Sequence, residues 1–126
     1  MANHNELGRA GEQAASEYLI GKGYVVREMN WRVGKLEIDI VAQEPAANVL
    51  HIIEVKTRTN IEQFDPMASI TRAKIRNLVN AANGYISYYD LKMAVQFDVM
   101  IIVAKASDFE ILFFPNAFQP PLRSVR

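Results

Sequence analysis

The 126-residue chain predicts a single α/β domain, a mixed β-sheet flanked by helices in the order helix, three strands, helix, strand, with a short strand added. Three observations carry that prediction. A helical apolar repeat opens the chain, three β-branched runs divided by turn residues follow, and a longer helical pattern precedes the strongest strand, Met93 to Ala104.

The first helix spans about Asn5 to Lys22, where Leu7, Gly11, Ala14, Ala15, Tyr18 and Leu19 recur at helical spacing. Asn5 suits an N-cap, and Gly21 or Gly23 can end the helix in a left-handed conformation. Gly8 and Gly11 each cost a helix about 1 kcal/mol relative to alanine, so close packing of this helix on a sheet is the expected compensation. Glu12 falls at the edge of the apolar face, with Glu6 and Glu17 opposite. Strands follow at Tyr24 to Trp31, Lys35 to Gln43 and Val49 to Thr57, divided by Gly34 and by Glu44-Pro45-Ala46-Ala47-Asn48.

A loop with Phe64, Asp65 and Pro66 leads into a helix from about Ala68 to Tyr88. Ile70, Ile75, Leu78, Val79, Ala82, Tyr85 and Ile86 form its apolar half, and Arg72, Arg76, Asn80, Asn83 and Ser87 the other. Lys74 falls within the apolar arc, so its ammonium must snorkel outward or reach an acidic site. After Met93 to Ala104 comes a short edge strand, Phe109 to Phe114, and the proline-rich tail from Pro115 is expected to be irregular. The first three strands should form an antiparallel meander, and the third and fourth a right-handed parallel crossover through the second helix.

Half the residues are hydrophobic and 22% are charged, the composition of a soluble globular protein. The lack of cysteine excludes disulfides, thiolate metal sites and cysteine catalysis. Fourteen basic residues balance fourteen acidic ones, which argues against a general nucleic-acid coating protein but leaves room for a local basic patch. Glu6, Glu12 and Glu17 interrupt the opening segment as a signal peptide would not be interrupted, and no run approaches the roughly 20 apolar residues that cross a bilayer. The expectation is a cytoplasmic protein without membrane contact.

The most hydrophobic strands carry charge. Strand alternation puts Glu37, Asp39 and Val41 on one face, with Ile38 and Ile40 on the other, and groups Ile52, Glu54 and Lys56 likewise. The midpoint between Asp39 and Glu54 falls between Ala46 and Ala47, the centre of the turn. A hairpin folded there sets Asp39 across from Glu54 and Glu37 across from Lys56, with opposed β-carbons about 4.5–5.5 Å apart. Two carboxylates at that distance destabilise a sheet unless a proton or cation lies between them, and Mg²⁺ is typically held by one or two carboxylates. The Val55 carbonyl is a further candidate ligand. The plain alternative is that these acids line the wet face of an antiparallel sheet. His4 and His51 lack metal-ligand spacing and receive no role; Asp98 and Trp31 read as structural.

The segments NWRVGKLEIDIVA and IIEVKTR, with GRAGEQAASEYL near the start, Lys74, and QFDV at Gln96 to Val99, resemble the YraN-type family of small bacterial proteins. That family consists of predicted endonucleases of the restriction-endonuclease-like superfamily and is similar to archaeal Holliday-junction resolvases. The resemblance covers nearly the whole chain, with Leu36 where relatives usually have glycine and Gln96 where they often have arginine.

The resemblance implies a restriction-endonuclease-like fold over residues 1–126 and an Asp … Glu-x-Lys site formed by Asp39, Glu54 and Lys56. Mg²⁺ or Mn²⁺ would be held by Asp39, Glu54 and the Val55 carbonyl, with Glu12 serving a second metal or its water. Lys56 would orient the attacking water or stabilise the transition state, and Glu37 would orient Lys56. Arg58, Lys74, Arg72 and Arg76 are candidate nucleic-acid contacts. The implied activity is hydrolysis of DNA phosphodiester bonds, on branched or single-stranded DNA in repair or recombination, by a homodimer. Two other readings stand beside it: a catalytically weak nucleic-acid-binding or adaptor module, and a protein docking through the apolar stretch ILFFPNAF.

Overall fold

The computed structural model describes residues 4–59 and 70–119. Helix α1 (His4–Gly21) is followed by β1 (Val25–Val33), β2 (Leu36–Glu44), β3 (Val49–Arg58), α2 (Arg72–Tyr89), β4 (Ala94–Ala104) and β5 (Phe109–Phe118). The strands form one sheet in the spatial order β1-β2-β3-β4-β5. Pairing is antiparallel except between β3 and β4, which run parallel as the α2 crossover requires. This mixed five-stranded sheet is consistent with a restriction-endonuclease-like fold. Among the described residues no helix is long and apolar enough to cross a membrane.

The helices cover opposite faces. Ala15 and Leu19 of α1 pack on Ile40, Ala42, Ile53, Met100 and Ile102, while Leu78, Ala81, Ala82 and Tyr85 of α2 pack on Ile38, Val41, Leu50, Ile52 and Phe97. These are the arcs that the helical periodicity marks out, and burying each leucine-sized side chain contributes about 1.5–3 kcal/mol.

Local chemistry fixes the ends. Gly23, at φ 94, closes α1 with paired bonds from Gly23 N to the Ile20 carbonyl and Tyr24 N to the Leu19 carbonyl, both 3.0 Å. Gly34, at φ 59, makes the tight turn joining Val33 to Leu36. Leu36 itself keeps an ordinary negative φ, so the backbone absorbs leucine there without strain.

Four expectations change. Asn5 lies inside α1 and is not its cap. Helix α2 starts at Arg72, where the Thr71 side chain accepts from Lys74 N, instead of at Ala68, which lies outside the described residues together with Phe64, Asp65 and Pro66. The last strand runs on to Phe118, through residues expected to be irregular, while residues 120–126 lie outside the described ones. An edge strand tolerates Pro115 because the missing donor faces no partner. The ladder is irregular between Phe97 and Val99, and Asn116, at φ 53, gives its N–H to Asp98 Oδ1 at 2.8 Å.

The fourth change concerns glycine. A Cβ on Gly11 would overlap Thr57 Oγ1 and lie 3.1 Å from Thr57 Cβ, so α1 reaches β3 only because position 11 is bare. A Cβ on Gly8 would meet nothing within 4 Å, so the packing expected to compensate for both glycines exists at Gly11 alone.

Asp98 anchors a buried polar cluster. It is fully buried, takes bonds from Gln96 Nε2 (3.0 Å) and Asn116 N, and faces His51 Nδ1 at 2.6 Å; His51 Nε2 faces Glu44 Oε1 at 2.9 Å. The Tyr24 ring lies edge-on to His51, its centroid 5.1 Å away. Two carboxylates accept only, so an imidazolium satisfies both sides. Burial opposes that charge, but the hydrogen bonds and charges of Asp98 and Glu44 outweigh it and hold the His51 pKa above the usual 6.5. Gln96, in turn, is committed to Asp98.

Two predictions follow from these contacts. Gly11→Ala should cost roughly 1–3 kcal/mol in denaturant unfolding, the price of overpacking, with partial recovery in the Gly11→Ala, Thr57→Ala double variant. Because the folded His51 pKa is raised, its stabilisation is complete below about pH 6.5 and is lost as pH rises through the folded value. His51→Gln should therefore melt furthest below wild type near pH 6, with the gap narrowing toward about pH 9. A gap independent of pH would show that the ring contributes packing alone.

Candidate active site

The β2–β3 ladder pairs Glu44 with Val49 and continues to Ile40 with Ile53, where regular pairing stops. One step further the same register sets Asp39 against Glu54. The strands part there, and the Asp39 side chain takes over from the backbone, its Oδ2 accepting the Val55 N–H at 2.8 Å. The Glu54 carboxyl lies close enough to Asp39 to raise its pKa through charge and side-chain hydrogen bonding. Both line a cavity of about 170 Å³ on the α2 side, with Lys35, Glu37, Lys74 and Asn77 around them.

Strict alternation fails at this point. Ile38 packs under α2 whereas Ile40 packs under α1, although two residues apart they should share a face. Opposite, between the pairs Met29–Ile40 and Trp31–Ile38, Asn30 adopts a left-handed backbone at φ 54. Asparagine is among the few residues that accept this conformation. The irregularity therefore sits beside Asp39, at the end of the ladder.

The charges are unevenly shared. Glu54 is 4% exposed, and its Oε2 meets Lys56 Nζ at 3.0 Å and Lys74 Nζ at 2.7 Å. Burial opposes the Lys74 charge, but the hydrogen bond and charge of Glu54 overcome it and raise the pKa. Lys74 thus reaches inward to the acid instead of snorkelling out. Among the described residues Asp39 forms no salt bridge, although its charge helps to raise the Lys74 pKa. Burial first, and the Glu54 charge second, push the Asp39 pKa from 3.8 up to about 7 against the opposing pull of the Val55 N–H, with a smaller upward push from Glu12.

Other candidates fall elsewhere. Glu37 is exposed and pairs with Arg32, its neighbour across β1, at 3.6 Å. The expected Glu37–Lys56 pair does not form, because β2 has left β3 by that point and β1 is its remaining partner. Glu12 lies toward the α1 side, where Asn30 Nδ2 donates to its Oε1 at 3.0 Å. Among the described residues no three acids or histidines form a group that could hold a metal, and the Glu12 charge reaches Asp39 only as a smaller influence. The Val55 side chain packs in the α1-side core and its N–H serves Asp39. Arg58 lines an α1-side cavity with Lys56, while Arg72 and Arg76 are exposed on α2.

Sequence reasoning missed Asn30 and His51. A polar residue in a strand gives no sign of positive φ, and the Glu44–His51–Asp98 contacts join three strands at unrelated spacings.

The donor set fits a hard divalent cation. Two neighbouring carboxyls offer the oxygen ligands that such an ion takes, and the raised Asp39 pKa marks where negative charge is unfavourable without one.

Known sequences resolve the lineage. The model of "Uncharacterised protein family UPF0102" matches residues 11–102. A UPF0102 protein of Bacteroides thetaiotaomicron is 43% identical over 122 residues, covering 97% of this chain and 99% of the relative. The chain belongs to the UPF0102 family. A UPF0102 protein of Phocaeicola vulgatus is 41% identical over the same shares of both chains. A solved structure, a protein of unknown function from Silicibacter pomeroyi, aligns with TM-score 0.40 and 17% identity over 86% of this chain and 70% of that one, too distant a likeness to carry an argument.

The raised Asp39 pKa has a measurable sign. This UPF0102 protein binds a proton in the folded state that the unfolded chain releases, so Asp39's contribution favours folding below 3.8 and is lost as pH rises to about 7. Metal-free Asp39→Asn should therefore melt above wild type at about pH 8, by about 5 °C, with the gain vanishing toward about pH 4. A gain equal at both pH values would show that repulsion is not its source.

Proposed function

We propose that this UPF0102 protein is a metal-dependent endonuclease that hydrolyses DNA phosphodiester bonds at the Asp39–Glu54 pair, in the cytoplasm. One observation carries the reading: two acids are held as neighbours at the end of a rigid ladder, at the cost of raising one pKa to about 7. A protein without a ligand to place there gains nothing from that repulsion.

Asp39 and Glu54 would hold the ion. Bound Mg²⁺ or Mn²⁺ supplies Lewis acidity toward a phosphoryl oxygen and lowers the pKa of water. The chain's own residues do the rest. The Val55 N–H holds the Asp39 carboxyl in place through Oδ2. Lys56 and Lys74, both against Glu54, place two ammonium groups where negative charge grows on the transferring phosphoryl group. A cation held there would compete with the proton on Asp39, so its affinity would rise with pH through about 7. The partner is nucleic acid, with Arg58, Arg72 and Arg76 as candidate phosphate contacts, and the resolvase resemblance extends the reading to a homodimer.

A second reading, a nucleic-acid-binding module with little hydrolysis, draws on one fact: both lysines already neutralise Glu54 from within the chain.

The deciding experiment is a cleavage panel of single-stranded, duplex, flap and four-way DNAs with matched RNAs in Mn²⁺, beside Glu54→Ala. Cleavage by wild type, lowered at least about a hundredfold by Glu54→Ala, is the expected result. Mn²⁺ should also raise the melting temperature of wild type but not of Asp39→Ala. Binding without cleavage favours the module, and neither activity would end both readings.

A further inference from the structure

The chain is neutral overall, with fourteen basic and fourteen acidic residues, but its two helices are not alike. Helix α1 sets Glu6, Glu12 and Glu17 against Arg9. The 18 residues of α2 include Arg72, Lys74 and Arg76 and no acid at all. Lys74 turns inward to Glu54, whereas Arg72 and Arg76 are exposed and form no ion pair or hydrogen bond with another described residue. Positive charge on this helix is therefore not neutralised where it reaches water.

Those arginines begin a stripe. Arg72, Arg76, Asn80, Asn83 and Ser87 recur at spacings of four, four, three and four, all of them exposed. The spacing keeps them within about 80° of arc over about 22 Å of helix. Asparagine and serine are poor residues for a helix interior, because their side chains compete for the backbone's hydrogen bonds. A merely solvated face is better built from alanine, glutamate and lysine, with opposite charges four residues apart. This face has no such pair, and the Asn80, Asn83 and Ser87 side chains bond no described residue. Capping does not explain them either, since Thr71 and Asp90 cap the helix.

Asn77 connects the stripe to the candidate site. It follows Arg76 directly, lies one turn before Asn80, and lines the Asp39–Glu54 cavity with Lys74. A ligand leaving that cavity over α2 meets two exposed cations and a row of uncharged hydrogen-bonding groups, with no acid among them. A nucleic-acid strand suits this order, since arginine binds phosphate, and asparagine and serine bond phosphate and sugar oxygens. We propose that the outer face of α2 is the docking surface for the substrate. A nucleic-acid backbone emerging from the cavity past Asn77 lies along the stripe, with phosphates at Arg72 and Arg76 and polar contacts at Asn80 and Asn83. This deepens the nuclease reading and rests on its substrate class.

The test uses the whole chain with Ca²⁺ in place of Mn²⁺, so that binding is read without turnover. Fluorescence anisotropy with labelled single-stranded and duplex DNA is measured over a range of salt, with melting in parallel. The proteins are wild type, the double variants Arg72→Gln, Arg76→Gln and Asn80→Ala, Asn83→Ala, and Lys22→Gln, which removes one charge just beyond α1. The arginine variant should bind about tenfold more weakly at low salt and lower the slope of log affinity against log salt by about two, one for each phosphate contact. The asparagine variant should keep the wild-type slope and bind about threefold more weakly, yet melt above wild type, the gain of replacing helical asparagines. Lys22→Gln should match wild type.

An unchanged slope in the arginine variant, or a slope lowered as much by Lys22→Gln, would overturn the docking face. So would wild-type affinity in the asparagine variant, or a lower melting temperature there, which makes the amides structural. Unlabelled polyglutamate displacing the DNA as well as unlabelled DNA does would also overturn it, in favour of an acidic protein partner. Wild type binding neither DNA would bring down the nuclease reading and this inference together. Variants that bind normally while wild type cuts DNA in Mn²⁺ would remove this inference alone.

Discussion

Two neighbouring acids inside a protein constrain everything near them. Left to relax, Asp39 and Glu54 would turn apart into water, and the fold prevents this at both. Val55 N–H grips Asp39, two lysines grip Glu54, and the Ile40–Ile53 end of the ladder fixes the strands that carry them. The proton Asp39 keeps near neutrality is the record of that restraint. A flexible loop could not sustain it, because a shift of about 1 Å is enough to relieve or misplace such a pair.

The frame is rigid because its central strands are buried on both faces. β3 and β4 run parallel between α1 and the α2 side, with Ile53, Met100, Ile101 and Ile102 fully buried. Each helix also brings polar groups toward the end of the sheet. The inward face of α2 delivers Lys74, and α1 delivers Glu12, tied to Asn30. Gly11 sets how closely α1 approaches, since Thr57 occupies the space a methyl would need. Packing and chemistry are therefore coupled at α1.

The other end of β3 carries its own polar network, and its chemistry differs. There His51 stands between Glu44 and Asp98, and Asp98 spends its remaining capacity on Gln96 and the irregular strand at Asn116. A carboxylate satisfied from within is a structural joint. Asp39 is instead held beside another acid, takes the Val55 N–H, and has its pKa raised. The contrast on a single pair of neighbouring strands separates the two roles better than burial does, since Asp98 and Glu54 are both buried.

Period-2 and period-3.6 patterns determined the element order, the mixed sheet and the helix faces, because burial of apolar side chains is written locally. The Asp39–Glu54 register was legible as well, since a symmetric hairpin about Ala46 and Ala47 leaves one pairing. Tertiary structure decided what depends on where elements end and what lies across from them. Glu37 turned to Arg32 because the strands diverge after Ile40, and Ile38 changed faces beside the left-handed Asn30. Residues 115–118 extended the last strand, with Asn116 finding a partner in Asp98, and His51 gained its carboxylates from two other strands. Each of these rests on a contact between residues distant in sequence, which no local pattern encodes.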